Sequence, residues 1–72
     1  KKTAKQLQKE AIREAVINDF MANRDSSLRE VADRLSHLAS YLIIRRHILK
    51  LEEEGKIKSH GQGRWIRFTW VG

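Results

Sequence analysis

The sequence predicts an α+β domain, three helices followed by a two-stranded β-hairpin. Two patterns carry that prediction. Up to Gly55 the apolar residues recur at three- and four-residue spacing, the period of amphipathic helices. Beyond Gly55 the period drops to two, in a segment rich in aromatic and β-branched residues.

The first helix is expected over residues 4–22. Leu7, Ala11 and Ala15 form one row at four-residue spacing, and Ile12, Val16 and Phe20 form the adjacent row. Together they make a single apolar stripe. Thr3 and Gln6 have the spacing of a capping box at its start, and Asn23-Arg24-Asp25 reads as its exit. Ser27 and Glu30 repeat the capping-box spacing before Leu28, Val31, Ala32 and Leu35, which predicts a second helix over 28–37. Ser36-His37 marks its end, and Leu38-Ala39-Ser40 reads as a tight connection, with Ser40 capping a third helix over 41–54. Gly55 suits the left-handed position that follows a helix. Within 56–71, HGQG (His60 to Gly63) reads as a turn, and RWIRFTW alternates Ile66, Phe68 and Trp70 against Trp65, Arg67 and Thr69.

At 72 residues this is one small domain over 1–72, near the size where a single core yields only a few kcal/mol of net stability. Cysteine is absent, so neither a disulfide nor a thiolate metal site supplements packing, in keeping with a cytoplasmic, nucleoid-associated or nuclear setting. No apolar run approaches the roughly 20 residues that span a bilayer, and KKTAKQLQKE lacks the apolar core of a signal peptide. Beginning at Lys1 without a methionine, the sequence reads as a processed chain or a domain cut from something longer. Net charge is +6 with a pI near 10.2, which makes a polyanion the first partner to consider. The excess is uneven: +2 over residues 1–36 and +4 over 37–72, where the three acids are the consecutive Glu52, Glu53 and Glu54.

LREVADRL, then a turn, then SYLIIRRHILKLEEEGKI, then a basic hairpin, resembles a winged helix-turn-helix domain over nearly the whole chain. The most specific part is RRHILKLEEEG with its following Ile, and the arrangement is similar to the DNA-binding domain of LexA-type repressors. The connection from Leu35 to Ser40 is longer than in compact helix-turn-helix motifs. The resemblance implies that the third helix lies in the major groove of double-stranded DNA and the wing touches backbone or minor groove, in the service of transcription regulation.

A helical wheel at about 100° per residue sorts that third helix. Ile44, Ile48 and Leu51 fall on an inward face with Tyr41 beside them; Arg46 and Lys50 lie opposite, Arg45 on one flank, Ile43 and His47 on the other. Arg46 is best placed for contact, because a guanidinium presents a two-pronged fork to guanine or phosphate, while Lys50 acts as a point charge. An arginine pair also simply solubilises a helix. On the hairpin, Lys56, Lys58, His60, Arg64 and Arg67 are interleaved with Gly61 and Gly63, which let backbone approach a phosphate closely. Ser40 and Tyr41, at the positively polarised helix start, are candidates to hold a phosphate. Trp65 is expected to pack across the hairpin in preference to stacking on a sugar or base.

Leu42 and Leu49 do not fit a simple DNA reader. They fall near Arg46 on the outward half, where Leu42 could touch a thymine methyl, or the pair could bury against the hairpin, a second subunit or a protein partner. Two alternatives therefore stand beside DNA: a protein-interaction module within an assembly, and a binder of structured RNA. Ile17 and Met21 are candidate edges of a homodimer surface. His37, His47 and His60 lack metal-ligand spacing, Glu52–Glu54 point in different directions from a helix end, and no nucleophile arrangement or nucleotide-binding glycine loop appears, so neither cofactor, metal nor catalysis is expected.

Overall fold

The computed structural model describes residues 3–72. In chain order these form α1 (Ala4–Ala22), β1 (Asp25–Ser26), α2 (Leu28–Arg34), α3 (Tyr41–Glu53), β2 (Ile57–His60), a single 3-10 turn (Gly63–Trp65) and β3 (Arg67–Trp70). The class is α+β: three helices and a small antiparallel sheet. That sheet has three strands in the order β1-β3-β2, one more than the hairpin the sequence predicts. No helix among the described residues is long and apolar enough to cross a membrane.

Both capping boxes form. The Gln6 amide donates to the Thr3 hydroxyl at 3.2 Å and the Thr3 amide to the Gln6 side-chain oxygen at 2.9 Å. The Glu30 amide and Ser27 hydroxyl, and the Ser27 amide and Glu30 carboxylate, repeat this at 3.1 and 2.9 Å. Each satisfies two of the donors a helix start leaves unpaired.

Only one row of the α1 stripe is fully buried: Ile12, Val16 and Phe20. Leu7 and Ala11 are exposed, against expectation, because the core they would join starts at Ile12; Ala15 packs against it from a half-buried position. α2 closes at Arg34 instead of residue 37. The amides of Leu38 and Ala39 both turn back to the carbonyl of Leu35, whose buried side chain anchors the bend, while Ser36 and His37 have no apolar group to extend the helix.

α3 starts behind Ser40, whose carbonyl takes the first helical bond from Ile44 but whose side chain makes no capping bond. Its end falls one residue before the expected 54. Gly55 sits at φ 80°, Lys56 N–H donates to Leu51 O and Gly55 N–H to Glu52 O, each at 3.0 Å, the paired closure that a left-handed glycine permits. Ile44, Ile48 and Leu51 are fully buried, as expected. Tyr41 is not in the core. It is half exposed, because the first turn of α3 projects toward the hairpin and not toward α1.

In the sheet, Ile57 opposes Trp70, Lys58 opposes Thr69, Ser59 opposes Phe68 and His60 opposes Arg67. Regular alternation begins only at Arg67. The preceding Gly63–Trp65 coils into the 3-10 turn, which leaves Ile66 partly exposed and Trp65 77% exposed, so Trp65 does not pack across the hairpin. The third strand, β1, comes from the segment expected to be only an exit: Asp25 opposes Thr69, Ser26 opposes Phe68, and the Trp70 amide donates to Arg24 O at 2.9 Å. β3 is thus the central strand, and its Phe68 joins Ile57 and the three helices in one core.

Beside that core lies a polar lock. Arg34 donates to both carboxylate oxygens of Asp19 (2.7–3.1 Å) and, through Nη2, to the hydroxyl of Ser26 at 2.7 Å. The Ser26 hydroxyl donates in turn to Asn23 O at 3.1 Å. Ser26 is the one buried polar residue among those described, and its hydroxyl is satisfied on both sides. α1, β1 and α2 are tied through these three side chains.

Two outcomes follow for stability. Asp19→Ala removes the acceptor of a guanidinium whose side chain is 36% exposed, from a carboxylate only 9% exposed, and is expected to cost about 2 kcal/mol, between an exposed pair and a charged buried bond. Urea unfolding followed by circular dichroism measures it; a loss no larger than that from Glu53→Ala, which removes the exposed pair with Lys50, would show the lock to be idle. The second concerns His47, half-buried on α3. Burial pushes its imidazole below the ordinary range, and the Arg13 and Lys9 cations of α1 push the same way. The unfolded chain therefore binds a proton that the folded chain resists, so this contribution is full above pH about 6.5 and is lost as pH falls toward the lowered value. Thermal melts between pH about 7.5 and about 5 are expected to show that decline, and His47→Gln is expected to flatten it.

Candidate nucleic-acid interface

With Ile44, Ile48 and Leu51 buried, geometry leaves Leu42, Arg45, Arg46, Leu49 and Lys50 on the outward face of α3. The hairpin folds back toward one edge of that face. Between them lies an open cleft of about 430 Å³ into which Tyr41, Arg45 and Leu49 of α3 project from one side and Arg64 and Ile66 from the other. Its floor is completed by Leu28 and Phe68, and Arg29 of α2 stands at its rim. Arg46 and Lys50 lie on the open part of α3 beyond the cleft, exposed to solvent.

The structure brings some of the expected contact residues together and redirects others. Tyr41, Arg45 and Arg64 share the cleft. Lys58 is exposed on β2, an edge strand of the sheet. Ser40 is exposed at the start of α3. His60 and Arg67 instead face an acidic partner. His60 Nε2 lies 3.1 Å from Asp25 Oδ1; Arg67 donates from Nε to the same oxygen at 3.3 Å and from Nη2 to Asp25 O at 3.0 Å. Arg67 Nη2 is also 3.0 Å from Glu30 Oε1. The Glu30 carboxyl is held below the usual carboxylate range, first by the Ser27 backbone amide and then by the nearby Arg67 and Arg34 charges.

Other acids are matched to cations elsewhere or touch the outward face of α3 only loosely. Glu54 pairs with Arg13 across α1 and α3, and that hydrogen bond holds its carboxyl low. Asp19 belongs to Arg34. Lys50 has only a long contact of 3.8 Å with Glu53, both well exposed, which leaves the lysine available. Among the described residues, Arg29, Arg45, Arg46, Lys58 and Arg64 make no ion pair at all. Unpaired guanidinium forks on two sides of one cleft suit planar or phosphate-bearing anions.

Two cleft residues escape a reading of the sequence. Arg29 was legible in principle: the same wheel that puts Leu28, Val31 and Ala32 of α2 inward leaves it outward, but nothing local says that the hairpin comes to lie beside it. Ile66 is assigned by alternation to the buried side with Phe68, and it lies instead on the cleft wall just after the 3-10 turn, exposed where Phe68 is buried.

No protein-family model, curated protein or solved structure matches this chain.

Proposed function

We propose that this chain is a winged helix-turn-helix domain that binds double-stranded DNA with the outward face of α3 and the hairpin, as a non-enzymatic transcription regulator of the nucleoid or nucleus. The observation that carries the reading is a set of exposed cations without ion-pair partners: Arg45 and Arg64 on two sides of one cleft, with Arg46 on the open part of α3 and Lys58 on β2 beyond it. A helix with its side chains is about 10–12 Å across, and the major groove is about 12 Å wide, so α3 fits with Arg46 and Lys50 toward base edges. Arg45, Arg64 and Lys58 then meet phosphates on either side, and Ser40 and Tyr41 at the start of α3 lie toward the backbone. His60 and Arg67 serve this mode as positioning residues, holding the hairpin to β1 through Asp25.

One observation supports a second reading, a protein-docking module. Leu42 is 64% exposed, and Leu38 and Ile43, near it in sequence at the start of α3, are exposed as well, apolar residues that a groove reader has little use for. Duplex RNA fits the cations but not α3, because the deep, narrow A-form major groove excludes a helix.

Fluorescence anisotropy of labelled duplex DNA across a salt series tests the main reading. Affinity is expected to fall steeply with salt, Lys58→Ala to shallow the log–log slope by about 1, and Arg46→Ala to weaken binding roughly tenfold. An affinity indifferent to salt, or a matched RNA duplex that competes equally, would sink it. Leu42→Ser is expected to leave DNA affinity unchanged; loss of DNA binding there would move the leucine into the interface.

A further inference from the structure

Trp65 is the most exposed large hydrophobic residue among those described, at 77%. It is not carried on a loose loop. Its amide donates to Gln62 O at 3.0 Å, and the Ile66 amide donates to Gly63 O. Its carbonyl oxygen lies so close to Gly61 that a Cβ there would stand 2.5 Å away, and Gly61 and Gly63 both hold positive φ, 94° and 57°. The tip of the hairpin is therefore a closed, glycine-dependent turn whose backbone is set, so little backbone ordering entropy remains to be lost when something covers the indole it carries.

What surrounds the indole narrows the partner. Arg64 precedes it and, like Arg29, lines both the α3 cleft and a second groove beside Trp65, of about 340 Å³, to which Arg67 also contributes. The acids of that groove are Glu30, already engaged by Arg67 and Ser27, and Asp33. A flat apolar ring flanked by guanidinium groups fits a ligand with both a π-face and a phosphate. Continuous duplex offers phosphates but hides its base faces inside the stack, and prising a step apart costs a few kcal/mol. An unpaired or terminal base offers its face without that cost.

We propose that Trp65 is a stacking platform for an unstacked nucleobase, so that the DNA this domain prefers is a duplex with an open end or an unpaired nucleotide. This rests on the DNA-binding reading above and names its substrate class. The phosphates beside that base lie along Arg64 and Arg45 on the side of the α3 cleft, whose lining holds no acid. Gly61 and Gly63 set the height of the platform.

Anisotropy titrations of the whole chain use two labelled probes: a short duplex closed at both ends by oligoethylene glycol linkers, and the same duplex with one end open and a short single-stranded overhang. The wild-type chain is expected to bind the open probe roughly tenfold more tightly. Trp65→Ala is expected to bind both probes with the closed-probe affinity, and Trp65→Phe to keep most of the preference. Because the indole is exposed, circular dichroism and the melting temperature of both variants should match wild type. Quenching of tryptophan emission by the open probe, lost in Trp65→Phe although Trp70 remains, supports the assignment. Equal affinity of wild type for the two probes, or a preference that survives Trp65→Ala, overturns it while leaving the DNA-binding reading intact. Failure to bind either probe overturns both.

Discussion

The architecture depends on two residues of strand. Successive residues of a strand face opposite sides, and β1 uses both. Ser26 turns into the protein, where Arg34 and Asp19 close the lock between α1 and α2. Asp25 turns toward the sheet, where its carboxylate receives His60 from β2 and Arg67 from β3. A two-stranded hairpin is marginal in water on its own. Here backbone pairing to β1 and the burial of Ile57 and Phe68 fasten it to the helices, and Asp25 ties its strands side by side. In a domain whose core alone gives only a few kcal/mol, a polar tie of about 2 kcal/mol is a large fraction of the whole.

That constraint redistributes charge. Counted along the sequence, the hairpin is uniformly cationic. In three dimensions Arg67 is matched to Asp25 and Glu30 and His60 lies against Asp25, so the hairpin cations left without an ion pair are Lys56, Lys58 and Arg64. The same happens on the helices: Arg13 and Arg34 are matched to Glu54 and Asp19, while Arg45 and Arg46 are left without a match. Pairing thus separates architectural cations from available ones.

Features set by local rules were legible in the sequence. The two capping boxes, the glycine stop at Gly55 and the inward row Ile44, Ile48, Leu51 depend on residues within one or two helical turns, and all form. Features set by distant partners were not. Asp25-Ser26 has neither length nor alternation to announce a strand; only β3, more than forty residues away, makes it one. Tyr41 continues the inward row on a wheel, yet a wheel does not know that the hairpin, and not α1, lies against that turn. Trp65 obeys the alternation of RWIRFTW, but two positive-φ glycines coil the chain before the strand starts, and their conformation is invisible to a period-two pattern. The site divides the same way, since Arg46 and Lys50 follow from the wheel, whereas the meeting of Arg45, Arg64 and Arg29 is a product of the sheet.

The aliphatic residues of α3 show why the cleft takes its form. Ile44, Ile48 and Leu51 account for the inward row, and Leu49, which seemed out of place beside Arg46, forms a wall of the cleft with Ile66 across from it. Leu42 lies one turn before Arg46, outside the cleft, and gains nothing from that arrangement. The two leucines therefore separate in kind: Leu49 belongs to the basic cleft, whereas Leu42, like Leu38 and Ile43, is an exposed apolar residue near the start of α3 and outside that cleft.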